Sequence, residues 1–493
     1  MRRKVGSHVR SRRFLVIFFS IILLFTALEQ TVWAAGQPEF VATQIYEANS
    51  PVFGLAWGDF DPCNIGMEVA CLLQYGSVLE LAPDVPNWQP TLINDGNTEG
   101  FSTGPAIGIG DVHSGYSGNE IITHAGAGSA KITVVFFAPA TGWSHKVLFD
   151  NTGLMGTSWD ARVGDYDPCH PGDEIFHIYE APLDESSGTV FREDGGIWHT
   201  EEIYRAEVGC VSAAGDFNPD HQGPEIVLTT EIIRIYEILA PNNPDSKDWP
   251  IRDIWDGNTY DVGCVVEIAD VDPCHTGNEI VYGTVGNRIM ISRHNGEGPH
   301  EFQILFTGDA NEYGYTQMLD IAVGDVLPQM AGLEILGVDY TGSVYLVRRV
   351  EDTWQGQVIW KDVDSLYAVI VGDFLPARAG DEILVAGESG TITLLTLTFP
   401  DSLTGDGRVN FQDFAELANY WQQSEPSADI GPWPIGDGAV DFLDVAVLAD
   451  NWLETAYWTE TDIGPCLVGD GAVDFLDVAV LADNWLETTN WTE

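Results

Sequence analysis

Gly164-Asp165-Tyr166-Asp167-Pro168-Cys169-His170-Pro171-Gly172-Asp173-Glu174-Ile175 decides the fold, because the same phrase returns six more times along the chain. It reads GDFDPCNIGMEV from Gly58, GDVHSGYSGNEI from Gly110 and GDFNPDHQGPEI from Gly215. It continues as ADVDPCHTGNEI from Ala269, GDVLPQMAGLEI from Gly324 and GDFLPARAGDEI from Gly372. A leading acid (Asp59, Asp111, Asp165, Asp216, Asp270, Asp325, Asp373) is followed nine residues later by a glutamate (Glu68, Glu120, Glu174, Glu225, Glu279, Glu334, Glu382). Copies lie 48 to 55 residues apart, the spacing of a repeat architecture.

Each unit holds four short stretches of strand character. One runs into the Asp, one follows the Glu, a third follows a glycine turn (Ser343–Val347), and a fourth often opens on Trp, as in Trp354–Trp360. Period-two patterning between Gly, Asn and Asp turns makes antiparallel sheets. Four strands in seven units predict an all-β seven-bladed propeller, which leaves no long exposed sheet edge. The seventh unit supplies only three strands before the sequence changes character near Leu397. The missing strand is expected at the other end of the chain, where Phe40–Glu47 (FVATQIYE) precedes unit one and matches the fourth strands elsewhere.

Composition narrows the function. The 493 residues carry 75 Asp and Glu against 21 Lys and Arg, a formal charge of −54, which opposes binding to nucleic acid or anionic lipid. With 45% hydrophobic and 11% aromatic residues the chain is too apolar for disorder. Basic residues from Arg2 to Arg13 precede an apolar run from Phe14 to Leu28, and Val32-Trp33-Ala34 offers a cleavage site. Residues 1–34 are therefore expected to be a cleaved secretory signal, residues 37–400 the propeller, and 401–493 a separate module.

The repeated phrase resembles the FG-GAP/VCBS type of propeller repeat, whose Asp-rich loop between the first two strands often holds calcium. The resemblance implies Ca2+ ligands in the three fullest loops: Asp59, Asp61 and Glu68; Asp165, Asp167 and Glu174; Asp270, Asp272 and Glu279. A hydrogen-bonded turn without metal is the competing reading there. Leu327 and Leu375 replace the second acid in units six and seven, so the acids kept in those units are expected to cap backbone N–H groups.

Seven cysteines cannot all pair within one chain. Export permits disulfides, and Cys63–Cys71 and Cys210–Cys264 are the expected pairs. Cys169-His170 and Cys274-His275 have the look of zinc ligands, but they fall on non-adjacent units, where loop chemistry explains them better.

The tail has its own repeat. GDGRVNFQDFAELANYW begins at Gly405, and GDGAVDFLDVAVLADNW occurs at Gly436 and again at Gly469. Asp-Gly, a ninth-position ligand and a final acid entering a helix form the second half of a calcium loop. The candidate ligands are Asp406, Asn410 and Asp413; Asp437, Asp441 and Asp444; and Asp470, Asp474 and Asp477. Phe411, Phe414, Leu417 and Trp421 are spaced to be buried on one helix face. These copies resemble the type I dockerin repeat, a calcium-dependent module that attaches secreted proteins to cohesin partners. They depart from it at the first two ligand positions and in being three rather than two.

No nucleophile elbow, zinc-protease helix, P-loop or dinucleotide fingerprint occurs in the sequence. The leading expectation is a secreted, non-catalytic propeller that binds a glycan or protein, attached through its tail to a scaffold or cell surface. The alternative is a polysaccharide-degrading enzyme resembling the rhamnogalacturonan-lyase propellers. The ligand face is expected on the rim opposite the Asp loops, where Phe101, Trp159, Tyr260, Tyr313, Tyr315 and Tyr367 cluster in sequence near the first strands. Aromatics packed between blades are the bland reading of the same residues. The Trp residues of the fourth strands (Trp88, Trp143, Trp198, Trp249, Trp354) are expected in the core.

Overall fold

A computed structural model describes residues 39–398, apart from stretches within connections such as 96–106, 255–262 and 310–316, together with 411–421, 440 and 445. Phe40–Leu397 forms one compact unit, and the two chain ends fall in another.

The strands of Phe40–Leu397 form seven four-stranded antiparallel sheets. In blade one the strands are Val52–Gly58, Glu68–Leu73, Val78–Ala82 and Gln89–Asn94, in that spatial order. Blades two to six follow the same order. Blade seven contains Leu366–Gly372, Glu382–Gly387 and Thr391–Thr398, and its outer strand is Glu39–Glu47 from the start of the unit. The N-terminal segment therefore ties the ring shut, as its sequence predicts. Ala48 N–H donates to Gly390 O at 2.8 Å beside that junction.

First strands line the axis and pack one against the next, with Leu366–Gly372 returning to Val52–Gly58. The first glycine of the repeat makes this close approach possible. A Cβ on Gly58 would lie 2.7 Å from Ile109 Cγ2, one on Gly215 2.7 Å from Ile268 Cγ2, and one on Gly372 2.6 Å from the Trp57 ring. In each case the neighbour is the residue just before the next blade's own repeat. The ninth residue of every copy is a glycine (Gly66, Gly118, Gly172, Gly223, Gly277, Gly332, Gly380) with φ between 86° and 135°, a turn conformation that a side chain would strain.

Between blades lie apolar clusters. One joins blade seven to blade one through Leu55, Leu81, Leu384 and Ile392, and another joins blades three and four through Tyr166, Phe176, Ile226 and Trp249. Trp249 is buried, and Trp88, Trp143, Trp198 and Trp354 pack half-buried against these clusters, as expected from their recurrence.

In the tail, Phe411–Asn419 is a helix of nine residues. Leu417 is buried at 1%, whereas Phe414 is 43% exposed, against the expectation of a shared apolar face. A three-residue step falls about 60° short of a full turn, which moves Phe414 to the edge of the stripe that buries Leu417. Residues 1–34, with the expected signal, lie outside the described residues.

Candidate functional site in the repeat loops and axial channel

The repeat glutamate does the same work in every blade. One carboxylate oxygen accepts backbone N–H groups from the loop that follows the leading Asp. Glu68 takes Phe60 and Asp61 at 3.1 and 3.2 Å, Glu120 takes Val112 and His113, and Glu174 takes Tyr166 and Asp167. Glu225 and Glu279 take the equivalent pairs. Glu334 takes Leu327 at 3.0 Å and Glu382 takes Leu375 at 2.8 Å. The cap expected for blades six and seven thus extends to all seven. Burial raises the carboxyl of each of the first six, to about 8 in Glu120, Glu174 and Glu334.

The leading Asp contributes its main chain instead. The residue before the next blade's glutamate reaches back to it: Asn119 N–H donates to Asp59 O, Asp173 N–H to Asp111 O, and Asp381 N–H to Asp325 O. Asp111 N–H and Asp325 N–H in turn donate to the side chains of Asp173 and Asp381, each at 2.9 Å. The side chains of Asp59, Asp165, Asp216 and Asp270 are exposed.

Two residues further on, the loop interior is filled in several ways. In blade three Asp167 bonds Arg192 at 2.6 Å and His170 at 2.7 Å. In blade five Asp272 pairs with Arg293 at 2.9 Å and with Arg349 of blade six. In blade four Asn218 donates to Glu237 at 2.6 Å. Blade one has no guanidinium in this position: the Asn64 amide bridges Asp61 at 3.0 Å and Glu80 at 2.8 Å. Burial and the neighbouring Asp61 push the Glu80 carboxyl up to about 7.

These facts test the fit to calcium. Arginine already supplies the positive charge at Asp167 and Asp272. Blade one keeps two buried acids, Asp61 and Glu80, with no guanidinium between them, and carboxylate oxygens are the hard donors that calcium takes. Among the described residues no group of three or more His, Cys, Asp or Glu is gathered tightly enough to hold a metal. In the tail, Asp413 belongs to the helix by its backbone, and the other eight candidate ligands lie outside the described residues.

Cys63 and Cys71 are not bridged, contrary to expectation. Cys71 is fully buried in the second strand of blade one, while Cys63 is exposed on the loop. Burial pushes the Cys71 thiol far up, which makes it inert. The Cys210 side chain, and with it the Cys210–Cys264 pair, lies outside the described residues. His170 bonds Asp167 and His221 bonds Glu225, so these loop histidines serve the repeat acids.

Of the expected rim aromatics, Phe101, Tyr260, Tyr313 and Tyr315 lie outside the described residues. Tyr367 stacks on Phe53 with ring centroids 5.1 Å apart and planes 7° apart, joining blades seven and one. Trp159 packs against the core between blades three and four. Both are inter-blade contacts.

An open cavity of about 190 Å³ lies on the axis, lined by Leu55, Trp57, Arg162, Glu267, Asp320 and Ile370 among others. Two residues before the repeat, the first strands carry Ala56, Gly108, Ala213, Ala322 and Ile370, but Arg162 in blade three and Glu267 in blade five. Arg162 reaches Glu267 at 3.7 Å and Asp160 at 3.2 Å. Asp160 also accepts Ser212 N–H at 2.7 Å and Ser212 Oγ at 2.9 Å, and Asp320 accepts Val369 N–H and Ile321 N–H, each at 3.0 Å. Sequence reading passed over this group. The one signal was a pair of opposite charges interrupting an otherwise small or apolar register position.

Among comparisons with known proteins, no family model matches the chain and no curated protein matches it. Similar solved structures include BBS1N in complex with ARL6DN (11% identity, TM-score 0.47, 73% of this chain and 97% of that one). The WD40 beta propeller domain of Doa1 is another (12% identity, TM-score 0.43, 73% and 96%).

Proposed function

We propose that the chain is a secreted, non-catalytic binding protein whose propeller recognises a glycan or protein ligand. Its tail acts as a calcium-dependent, dockerin-like attachment to a cohesin-like scaffold or a surface. The observation that supports this most is the division of labour in the repeat. One recurring glutamate cap closes seven loops, while their interiors are filled in several ways: Asp with Arg in blades three and five, an Asn amide on Glu in blades one and four, and Leu in blades six and seven. Variable loops on a fixed frame are how propellers and similar scaffolds present binding surfaces. Most of the buried acids that sequence would offer to acid–base chemistry are engaged in backbone caps and side-chain pairs. The FG-GAP/VCBS resemblance belongs to the same reading and brings Ca2+ with it, favoured in blade one by Asp61 and Glu80 and in the tail by its Asp-Gly loops.

A panel of polysaccharides and immobilised proteins, incubated with the full chain in calcium and in chelator, tests this reading. Retention without bond cleavage is the expected result. Release of unsaturated sugar absorbing in the ultraviolet would replace it with the lyase alternative.

A further inference from the structure

The axial cavity has a composition that the blade architecture does not require. Asp160 accepts the N–H and hydroxyl of Ser212 in the next blade, and Asp320 accepts Val369 N–H from the next blade and Ile321 N–H from its own strand, so they serve the ring. Arg162 and Glu267 differ. They stand at a position that is small or aliphatic in the other five blades, and their mutual contact, at 3.7 Å, is longer than a hydrogen bond. Arg162 spends its Nε on Asp160, and among the described residues Glu267 makes no shorter contact than the one from Arg162 Nη1; both side chains line the cavity. The cavity therefore offers strong donors and strong acceptors side by side, with the half-buried Trp57 and aliphatic side chains as the remaining wall.

The geometry points to a binding site for a single neutral sugar residue, held in the axial channel by Arg162 and Glu267 and packed against Trp57. Hydroxyl groups are both donors and acceptors, so adjacent hydroxyls satisfy a guanidinium and a carboxylate at once. The apolar C–H face of a pyranose suits an indole wall. An amine or a metal ion would have to sit beside the Arg162 guanidinium. An acidic sugar or a phosphate would meet Glu267 and Asp320 in the cavity wall, against one arginine that Asp160 already pairs. Neutral sugars are thus selected over uronates. This rests on the glycan-binding reading above and narrows it to one place and one class of ligand.

Saturation-transfer NMR on the full chain, with methyl glycosides of neutral hexoses and pentoses and with glucuronate and galacturonate, reads the selectivity. Neutral glycosides should show transfer and the uronates should not. Glu267→Gln should weaken binding about tenfold, the loss of one charged hydrogen bond. Ala322→Leu, which fills the lumen without removing a polar partner, should abolish it. Melting curves matching the parent's are the control that both variants are folded. If neutral sugars bind but both variants bind like the parent, the channel assignment falls while the glycan reading stands. If no saccharide binds the parent, both fall. Equal binding of uronates overturns the charge argument.

Discussion

Glu334 shows what one residue of the repeat is for. Its carboxylate is almost fully buried and holds the N–H of Leu327, with no second acid in the loop to share a cation. Glu334→Ala would strand that buried donor, at a cost of about 1–3 kcal/mol before any cavity term. Glu334→Gln keeps an acceptor in place and should recover most of this, read as the shift in urea midpoint. Arg192 permits a sharper experiment. Arg192→Met takes the guanidinium away from the buried Asp167 carboxylate and leaves it His170, a loss that typically costs about 3–5 kcal/mol. The double change Asp167→Leu with Arg192→Met copies the apolar solution found at Leu327 and Leu375, and should cost much less than the single one. If the two variants unfold at the same urea concentration, the ion pair is not what fills that loop.

At the scale of an element, the first strand and its loop form the unit that closes the ring. A Cβ on Gly372 would meet the Trp57 ring across the junction of blades seven and one, so Gly372→Ala should cost about 1–3 kcal/mol by overpacking. Gly164→Ala is the matched control. Its nearest neighbours, in Tyr166 and Ala214, lie 3.6 and 3.7 Å away, and Ala269 already occupies this position in blade five. That variant should stay within about 0.5 kcal/mol of the parent. Equal melting temperatures for the two would refute the close-approach account of the repeat glycine. The strands, their order and the closing role of Phe40–Glu47 were legible because period-two patterning and a sevenfold phrase report backbone geometry directly. What the acids do was only partly legible. A carboxylate that binds calcium and one that caps two N–H groups have the same spacing in sequence. Arg192 and Arg293, which separate the readings, arrive from the third strand some twenty residues later. Arg162 and Glu267 meet across the axis from non-adjacent blades, a contact no local pattern encodes.

The whole molecule depends on the ring being closed and on many acids being buried within it. Deleting residues 36–48 would strip the outer strand from blade seven and bare Thr391–Thr398 as an open edge. The product should aggregate on refolding, and a monomer with the parent's melting temperature would contradict the closure. The buried acids also set a pH dependence whose sign follows from their shifts. Burial raises Glu120 and Glu334 to about 8 and Asp320 to about 7, against about 4 in an unfolded chain. Folding then takes up protons, so their contribution is fully present below about pH 4 and is lost as pH rises through 7 to 8. His124 and His300 act the other way. Burial lowers them to about 4, so their contribution is present above about pH 6.5 and is lost as pH falls towards 4. The two sets oppose each other between about pH 4 and 6.5, and only the carboxylates remain above it. The melting temperature should therefore fall steadily from about pH 6.5 to 8.5. The double variant Glu120→Gln with Glu334→Gln, which cannot titrate at those sites, should show a shallower decline over the same interval. A parent curve that is flat or rising there would mean that these glutamates ionise freely within the fold, and that their caps are held by water as much as by burial.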